Sequence, residues 1–122
     1  MRIYVAHSTS FDYKSELYLP IRQSDLNTYH DFILPHELSN EQFDSNTLIA
    51  NGIDLFIAEV SYPSIGLGIE LGWADSAGTP IACFYKVGST PSGSLQAVTD
   101  KIVGYSSHKE LISGIGDIIN KM

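Results

Sequence analysis

The chain has 122 residues, 43% of them hydrophobic and 17% charged, which is the size and composition of one compact domain and argues against a disordered or coiled-coil chain. A net charge of −7 opposes diffuse attraction to a nucleic-acid polymer, but it leaves room for a small anion held by backbone N–H groups. A lone cysteine, Cys83, allows no intrachain disulfide and points to a reducing, cytoplasmic setting. No apolar run approaches the roughly 18–20 residues of a membrane span, and Met1-Arg2 leads directly into a strand-like run without a signal-peptide pattern.

Apolar runs and helical stripes alternate along the chain. Strands are expected at Arg2 to Ala6, Asp31 to Leu34, Asp54 to Val60, Pro80 to Tyr85 and Lys101 to Tyr105. The third of these is nearly all apolar, as a strand buried on both faces should be. The first helix is expected over Phe11 to Leu19, with Tyr13, Leu17 and Ile21 at helical spacing; Pro20 should kink or end it, and Gln23 to Tyr29 forms a further turn. Ser39-Asn40-Glu41-Gln42 reads as a capping box opening a helix to about Asn51, with Gly52 placed to end it. Gly66 to Ser76 is the next helix, ending near Gly78, and Ser92 to Asp100 a weaker one. Ser107-His108-Lys109-Glu110 is a second capping box. It opens a last helix with Leu111, Ile115 and Ile118 on one stripe and Ile112 and Ile119 beside it.

This alternation implies a single three-layer α/β domain over residues 1–122, without repeats or linkers. A five-stranded parallel sheet of flavodoxin or Rossmann-like type, in the order 2-1-3-4-5, fits it. Ligands of such sheets bind at the C-terminal ends of the strands, where the order reverses. Here that point lies between the first and third strands, flanked by the loops His7 to Asp12 and Ser61 to Gly68.

The stretch Ser61-Tyr62-Pro63-Ser64-Ile65-Gly66-Leu67-Gly68-Ile69-Glu70-Leu71-Gly72 carries most of the chemistry. Gly66 and Gly68 let the backbone approach a ligand, and N–H groups at a helix start suit an anion. Glu70 is expected in the first helical turn, where the helix dipole favours its ionised form. It is then either a surface complement to that dipole or a carboxylate nucleophile at the crevice. The spacing to Gly72 is one residue too long for a dinucleotide fingerprint, and no cofactor is expected. In His7-Ser8-Thr9-Ser10, the hydroxyls of Ser8 and Ser10 either bind a phosphate or sugar or shape a turn. Asn46, on a stripe with Phe43 and Ala50, is either a satisfied core amide or a crevice group. His7, His30, His36 and His108 show no metal-ligand spacing, so no metal is expected. Cys83 and Trp73 read as packing residues, and Glu59 as a structural hydrogen-bonding group.

Ile3-Tyr4-Val5-Ala6, the segment Asp54 to Ala74 and Gly78-Thr79-Pro80-Ile81 together resemble the nucleoside 2-deoxyribosyltransferase superfamily, and within it the 2′-deoxynucleoside 5′-monophosphate N-glycosidases. The resemblance runs from about residue 2 to residue 102, and Ala58 to Ala74 is its specific part. It implies a flavodoxin-like fold and cleavage of an N-glycosidic bond through a glycosyl intermediate on Glu70. It further implies a small-molecule nucleoside or nucleotide substrate, a phosphate contact at Ser64, an active-site tyrosine at Tyr4, and a homodimer in which Ser94 serves the neighbouring site. Two positions depart from the pattern. The family's aspartate that helps protonate the leaving base is here Asn46, which has no titrating proton; Asp44, His7 and His36 are the alternatives. The glycine- and arginine-rich loop of the monophosphate branch is here His7 to Asp12, without arginine, which keeps an unphosphorylated N-glycoside in view. A binding module with a degenerate site is the competing class, and Asn46 is the feature that favours it.

Overall fold

The computed structural model describes residues 1–38 and 44–122. Among these, five strands form one sheet in the order β2-β1-β3-β4-β5. The strands are β1 (Arg2–His7), β2 (Asp31–Ile33), β3 (Leu55–Glu59), β4 (Ile81–Lys86) and β5 (Ile102–Tyr105). Every pairing is parallel, and the expected topology is the one observed. The helices are α1 (Leu19–Gln23), α2 (Leu26–Tyr29), α3 (Ser45–Ala50), α4 (Ile65–Ser76) and α5 (His108–Asn120).

Side-chain alternation along the strands builds two cores, one on each face. Ile3, Val5, Leu55, Ile57, Ala82 and Phe84 face one way, where Leu17, Ile21, Leu111 and Ile115 cover them. Tyr4, Ala6, Phe56, Ala58, Ile81 and Cys83 face the other way, under Ile49, Leu67, Leu71 and Leu95. The expected stripe of α5 is the buried one: Leu111, Ile115 and Ile118 pack on the sheet, with Ile112 and Ile119 at its margin. Ser107 caps that helix by accepting from the Glu110 N–H at 3.1 Å, and the Glu110 carboxylate turns back to the Ser106 N–H and hydroxyl, each at 2.9 Å.

Several local expectations are corrected. Pro20 does not end the first helix. A π-helical turn, Lys14–Tyr18, runs directly into α1, and Pro20 lies buried at its start. The wider turn, closed by the Leu19 N–H on the Lys14 carbonyl, relieves the clash of the proline ring with the preceding turn. The capping box at Ser39 to Gln42, and Phe43, lie outside the described residues. Within them, α3 is capped by Asp44, which accepts from the Thr47 N–H at 3.2 Å. The face of α3 on the sheet carries Ser45 and Ile49, while Asn46 and Ala50 are exposed, one residue away from the expected stripe. Gly52 follows α3 with φ +106°, a left-handed conformation that suits glycine. The weak helix after Ser92 is a 3-10 segment, Gly93–Ala97.

Candidate active site

The β3–α4 connection fixes the site. Ser64 caps α4 by accepting from the Leu67 N–H at 3.4 Å, and the helix begins at Ile65. Gly66 and Gly68 are therefore helical rather than part of a loop. Glu70 falls in the second turn, beyond the reach of the dipole effect expected for the first. What holds Glu70 is instead a direct partner: the Tyr4 hydroxyl donates to Glu70 Oε2. Tyr4 comes from the middle of β1, almost wholly buried, with its ring stacked on Phe56 at 5.4 Å. Burial, then the charge of Glu70 and the bond to it, push the Tyr4 phenol far above its ordinary value, while a bond with Ser45 acts the other way. The phenol thus remains a donor at all ordinary pH.

Tyr4 and Glu70 open onto a cavity of about 450 Å³. Pro35 and His36 from the β2–α3 connection, Asp44, Ser45 and Asn46 at the start of α3, and Gly66, Ile69 and Trp73 on α4 complete its wall. The volume falls in the range of small-ligand sites. Tyr4, Asn46, Gly66 and Glu70, four of the residues singled out by sequence, are brought together here.

Ser64, Gly68 and Ser94 are not in that wall. They line a second, more apolar cavity of about 340 Å³ between α4 and the 3-10 segment. Among the described residues, neither cavity is lined by a lysine or arginine. Both arginines are engaged elsewhere: Arg2 Nη1 donates to the Gly52 carbonyl, and Arg22 grips Glu37 through two bonds of 2.8 Å.

His7, Ser8 and Ser10 border neither cavity. Alternation explains His7, which lies three residues beyond Tyr4 and so points to the opposite face. There it packs against Tyr13 at 4.4 Å and Tyr18 at 5.1 Å. Its ring nitrogens meet the Ser8 carbonyl at 2.8 Å and the Tyr18 hydroxyl at 2.5 Å. Burial pushes His7 down to about 4, so the ring is neutral at pH 7. The Ser8 and Ser10 hydroxyls bond each other at 2.8 Å, and the Ser10 N–H donates to Ser8 Oγ at 3.1 Å, the geometry of a turn. Phe11 of this loop stacks on Tyr62 at 4.7 Å, with the Lys86 ammonium beside both rings. The two loops at the switch point therefore seal one face, and the cavity opens on the other.

Glu59 faces the sealed side. It is 1% exposed and accepts from the Ser61 N–H at 2.6 Å, the Ser61 hydroxyl at 3.0 Å and the Tyr105 hydroxyl. Ser61 Oγ in turn accepts from the Lys86 N–H at 2.7 Å, which ties the loop before α4 to β4. Sequence reasoning did not single out Ser45, whose burial and bond to Tyr4 place it in the site. Its signal is the spacing of four to Ile49, which puts both on the sheet-facing side of α3. Among the described residues no helix is long and apolar enough to cross a membrane, and no cluster of His, Cys, Asp or Glu is arranged to hold a metal.

No protein-family model matches the chain. A curated protein of Syntrophotalea carbinolica, named "Putative 2′-deoxynucleoside 5′-phosphate N-hydrolase 1", is 41% identical over 61 residues. That match spans 48% of this chain and 43% of the relative's length. The CMP N-glycosidase BcmB of Clostridium botulinum has a similar structure, with a TM-score of 0.65 at 21% identity, covering 95% of this chain and 99% of that one. A conserved protein of Enterococcus faecalis is equally similar in structure, with a TM-score of 0.65 at 18% identity, over 97% of this chain and 98% of the other. The fold is that of these neighbours, and by its sequence relative the chain resembles the nucleotide N-hydrolases of the nucleoside 2-deoxyribosyltransferase superfamily.

Proposed function

We propose that the protein cleaves the N-glycosidic bond of a 2′-deoxynucleoside or its 5′-monophosphate, through a covalent glycosyl intermediate on Glu70. The observation that carries the reading is the Glu70 carboxylate, held by the Tyr4 hydroxyl at the wall of a ligand-sized cavity. Tyr4 occupies Oε2 and fixes the carboxylate plane. A carboxylate oxygen attacks C1′, the C1′–N bond breaks, and its electron pair leaves with the base. The developing positive charge on the sugar is stabilised by the fixed carboxylate and then captured by it. Water, or a second base, then attacks C1′ and releases the carboxylate. The sequence relative, named for hydrolysis of a 2′-deoxynucleoside 5′-phosphate, supports the bond and the substrate class. The absence of lysine and arginine from both cavity walls, among the described residues, favours a ligand held by hydroxyl and N–H groups. In this reading Ser64, Gly68 and Ser94 act at the second cavity, and Ser94 completes the site of a neighbouring copy in a homodimer.

The test is incubation with a panel of deoxyribo- and ribonucleosides and their monophosphates, with chromatography for free base. Release of base from a deoxy compound is expected. A second reading, ligand binding without turnover, is favoured by Asn46 at the cavity wall in place of an acid. A panel member that raises the melting temperature yet stays intact after long incubation would decide for it.

A further inference from the structure

Cleavage of an unactivated N-glycosidic bond needs a proton on the departing base, and Asn46 has none to give. Four titratable side chains stand in the wall of the Glu70 cavity among the described residues: Tyr4, His36, Asp44 and Glu70. Glu70 is the nucleophile of the proposed reaction. The Tyr4 hydrogen is directed at Glu70, and burial keeps it there. Asp44 spends one carboxylate oxygen on the Thr47 N–H at 3.2 Å and the other on the Thr47 hydroxyl at 2.9 Å, as the cap of α3. Protonating it would weaken that cap. His36 remains.

We propose that His36 is the acid that protonates the departing base, an inference that rests on the glycosidase reading above. The His36 backbone is pinned where a positioned acid has to be. Its N–H donates to the Tyr18 hydroxyl at 3.1 Å. The next residue, Glu37, is gripped through both its oxygens by Arg22, which also donates to the Phe32 carbonyl at 3.2 Å. The connection after β2 is thereby tied to α1 and to its own strand. The imidazole lies beside His7 at 5.7 Å and Tyr13 at 5.9 Å, and none of the described residues takes up its ring nitrogens in a hydrogen bond.

The hydrogen-bond chain behind His36 sets where a proton can sit. The Ser8 carbonyl can only accept, so His7 Nδ1 carries the hydrogen; in the neutral ring Nε2 then accepts from the Tyr18 hydroxyl, which itself accepts from the His36 N–H. Both His7 nitrogens are thus used in the neutral form. Burial, with the charge of His36 adding to it, keeps His7 unprotonated. With both His7 nitrogens taken up in the neutral form, His36 is the ring of the pair left to carry a proton to the cavity. Histidine is the side chain that ordinarily exchanges its proton near neutral pH. As the C1′–N bond breaks, the electron pair goes to the base. The base takes the His36 proton at a ring nitrogen or carbonyl oxygen and leaves neutral, and His36 is left as a neutral imidazole. The proton lost by the attacking water in the second step restores it.

The test compares His36→Asn and His36→Gln with the unaltered protein on two substrates. One is the panel compound cleaved best; the other carries a base that departs without protonation, N7-methylated for a purine or 5-fluorinated for a pyrimidine. Asp44→Asn is run alongside. The expected result is a loss of kcat/KM, which reads the base-releasing step alone, of about 100-fold or more on the ordinary substrate and of no more than about 3-fold on the activated one, for both His36 variants. Equal losses on both substrates, no loss on either, or the same split in Asp44→Asn overturns the assignment of His36 alone. Inertness of the unaltered protein on the entire panel, activated compounds included, overturns the glycosidase reading and this inference with it. Circular dichroism of each variant, matched to the unaltered protein, separates loss of the acid from loss of the fold.

Discussion

The Tyr4 hydroxyl, rising from the middle of β1, donates to the Glu70 carboxylate on the second turn of α4. This one bond joins the central strand to the helix that follows the switch point. Tyr4→Phe removes the donor and keeps the ring stacked on Phe56. Stability should fall by about 1.5–3 kcal/mol, because the hydroxyl bonds both the Glu70 carboxylate and Ser45. Turnover should fall by roughly 10–100-fold, because the carboxylate loses its orientation. Chemical denaturation and steady-state kinetics on one preparation check both numbers.

His7 predicts a pH dependence of stability. Its ordinary value of 6.5 is pushed down to about 4 in the fold, chiefly by burial. Between these values the unfolded chain binds more protons than the native one, so stability rises with pH across that window. The contribution is fully present above about pH 6.5 and is lost as pH falls toward 4, on the order of 3 kcal/mol in all. Urea unfolding between pH 4 and 7 should show this slope, and His7→Gln should flatten it.

Alternation within a strand explains what was readable in advance and what was not. The topology follows from the apolar runs and their spacing, and the buried stripe of α5 from Leu111, Ile115 and Ile118. Glu70 and Tyr4 were reachable as a pair through the family resemblance. Their bond was not, because it depends on the angle at which α4 crosses β1. Sequence proximity groups His7 with Ser8 and Ser10 at the crevice, but its parity relative to Tyr4 sends it to the other face. The π-helical turn before Pro20 leaves no local signature, since the proline alone reads as a stop.

Glu59 shows the cost of altering a satisfied buried carboxylate. All of its partners, the Ser61 N–H and hydroxyl and the Tyr105 hydroxyl, are donors. Glu59→Gln turns an amide N–H₂ toward one of them and should destabilise by roughly 2–4 kcal/mol. Because Ser61 also anchors the loop to the Lys86 N–H, turnover should fall together with stability. Thermal unfolding with parallel activity measurement reads both.

The glycines separate space from function. A Cβ at Gly114 would lie 3.0 Å from Phe84 Cε1, in the core under α5, so Gly114→Ala should cost about 1–3 kcal/mol. A Cβ at Gly68 meets nothing within 4 Å, and Gly68→Ala inside α4 should stabilise by about 0.5–1 kcal/mol. Gly66 lines the Glu70 cavity, and an added Cβ there would meet only Ser64 Oγ, at 3.9 Å. Gly66→Ala should therefore fold normally and raise KM. Unfolding curves and KM for the three variants check the assignment.

The proposed reaction passes through a covalent bond between Glu70 and the sugar. A 2′-fluorinated arabinosyl nucleotide slows both steps by destabilising positive charge at C1′, and an activated base restores the first. Intact-protein mass spectrometry after mixing should show one added glycosyl unit on the unaltered protein, peptide mapping should place it on Glu70, and Glu70→Gln should show none. Release of base at an undiminished rate by Glu70→Gln, or an adduct mapped to another residue, would contradict the account.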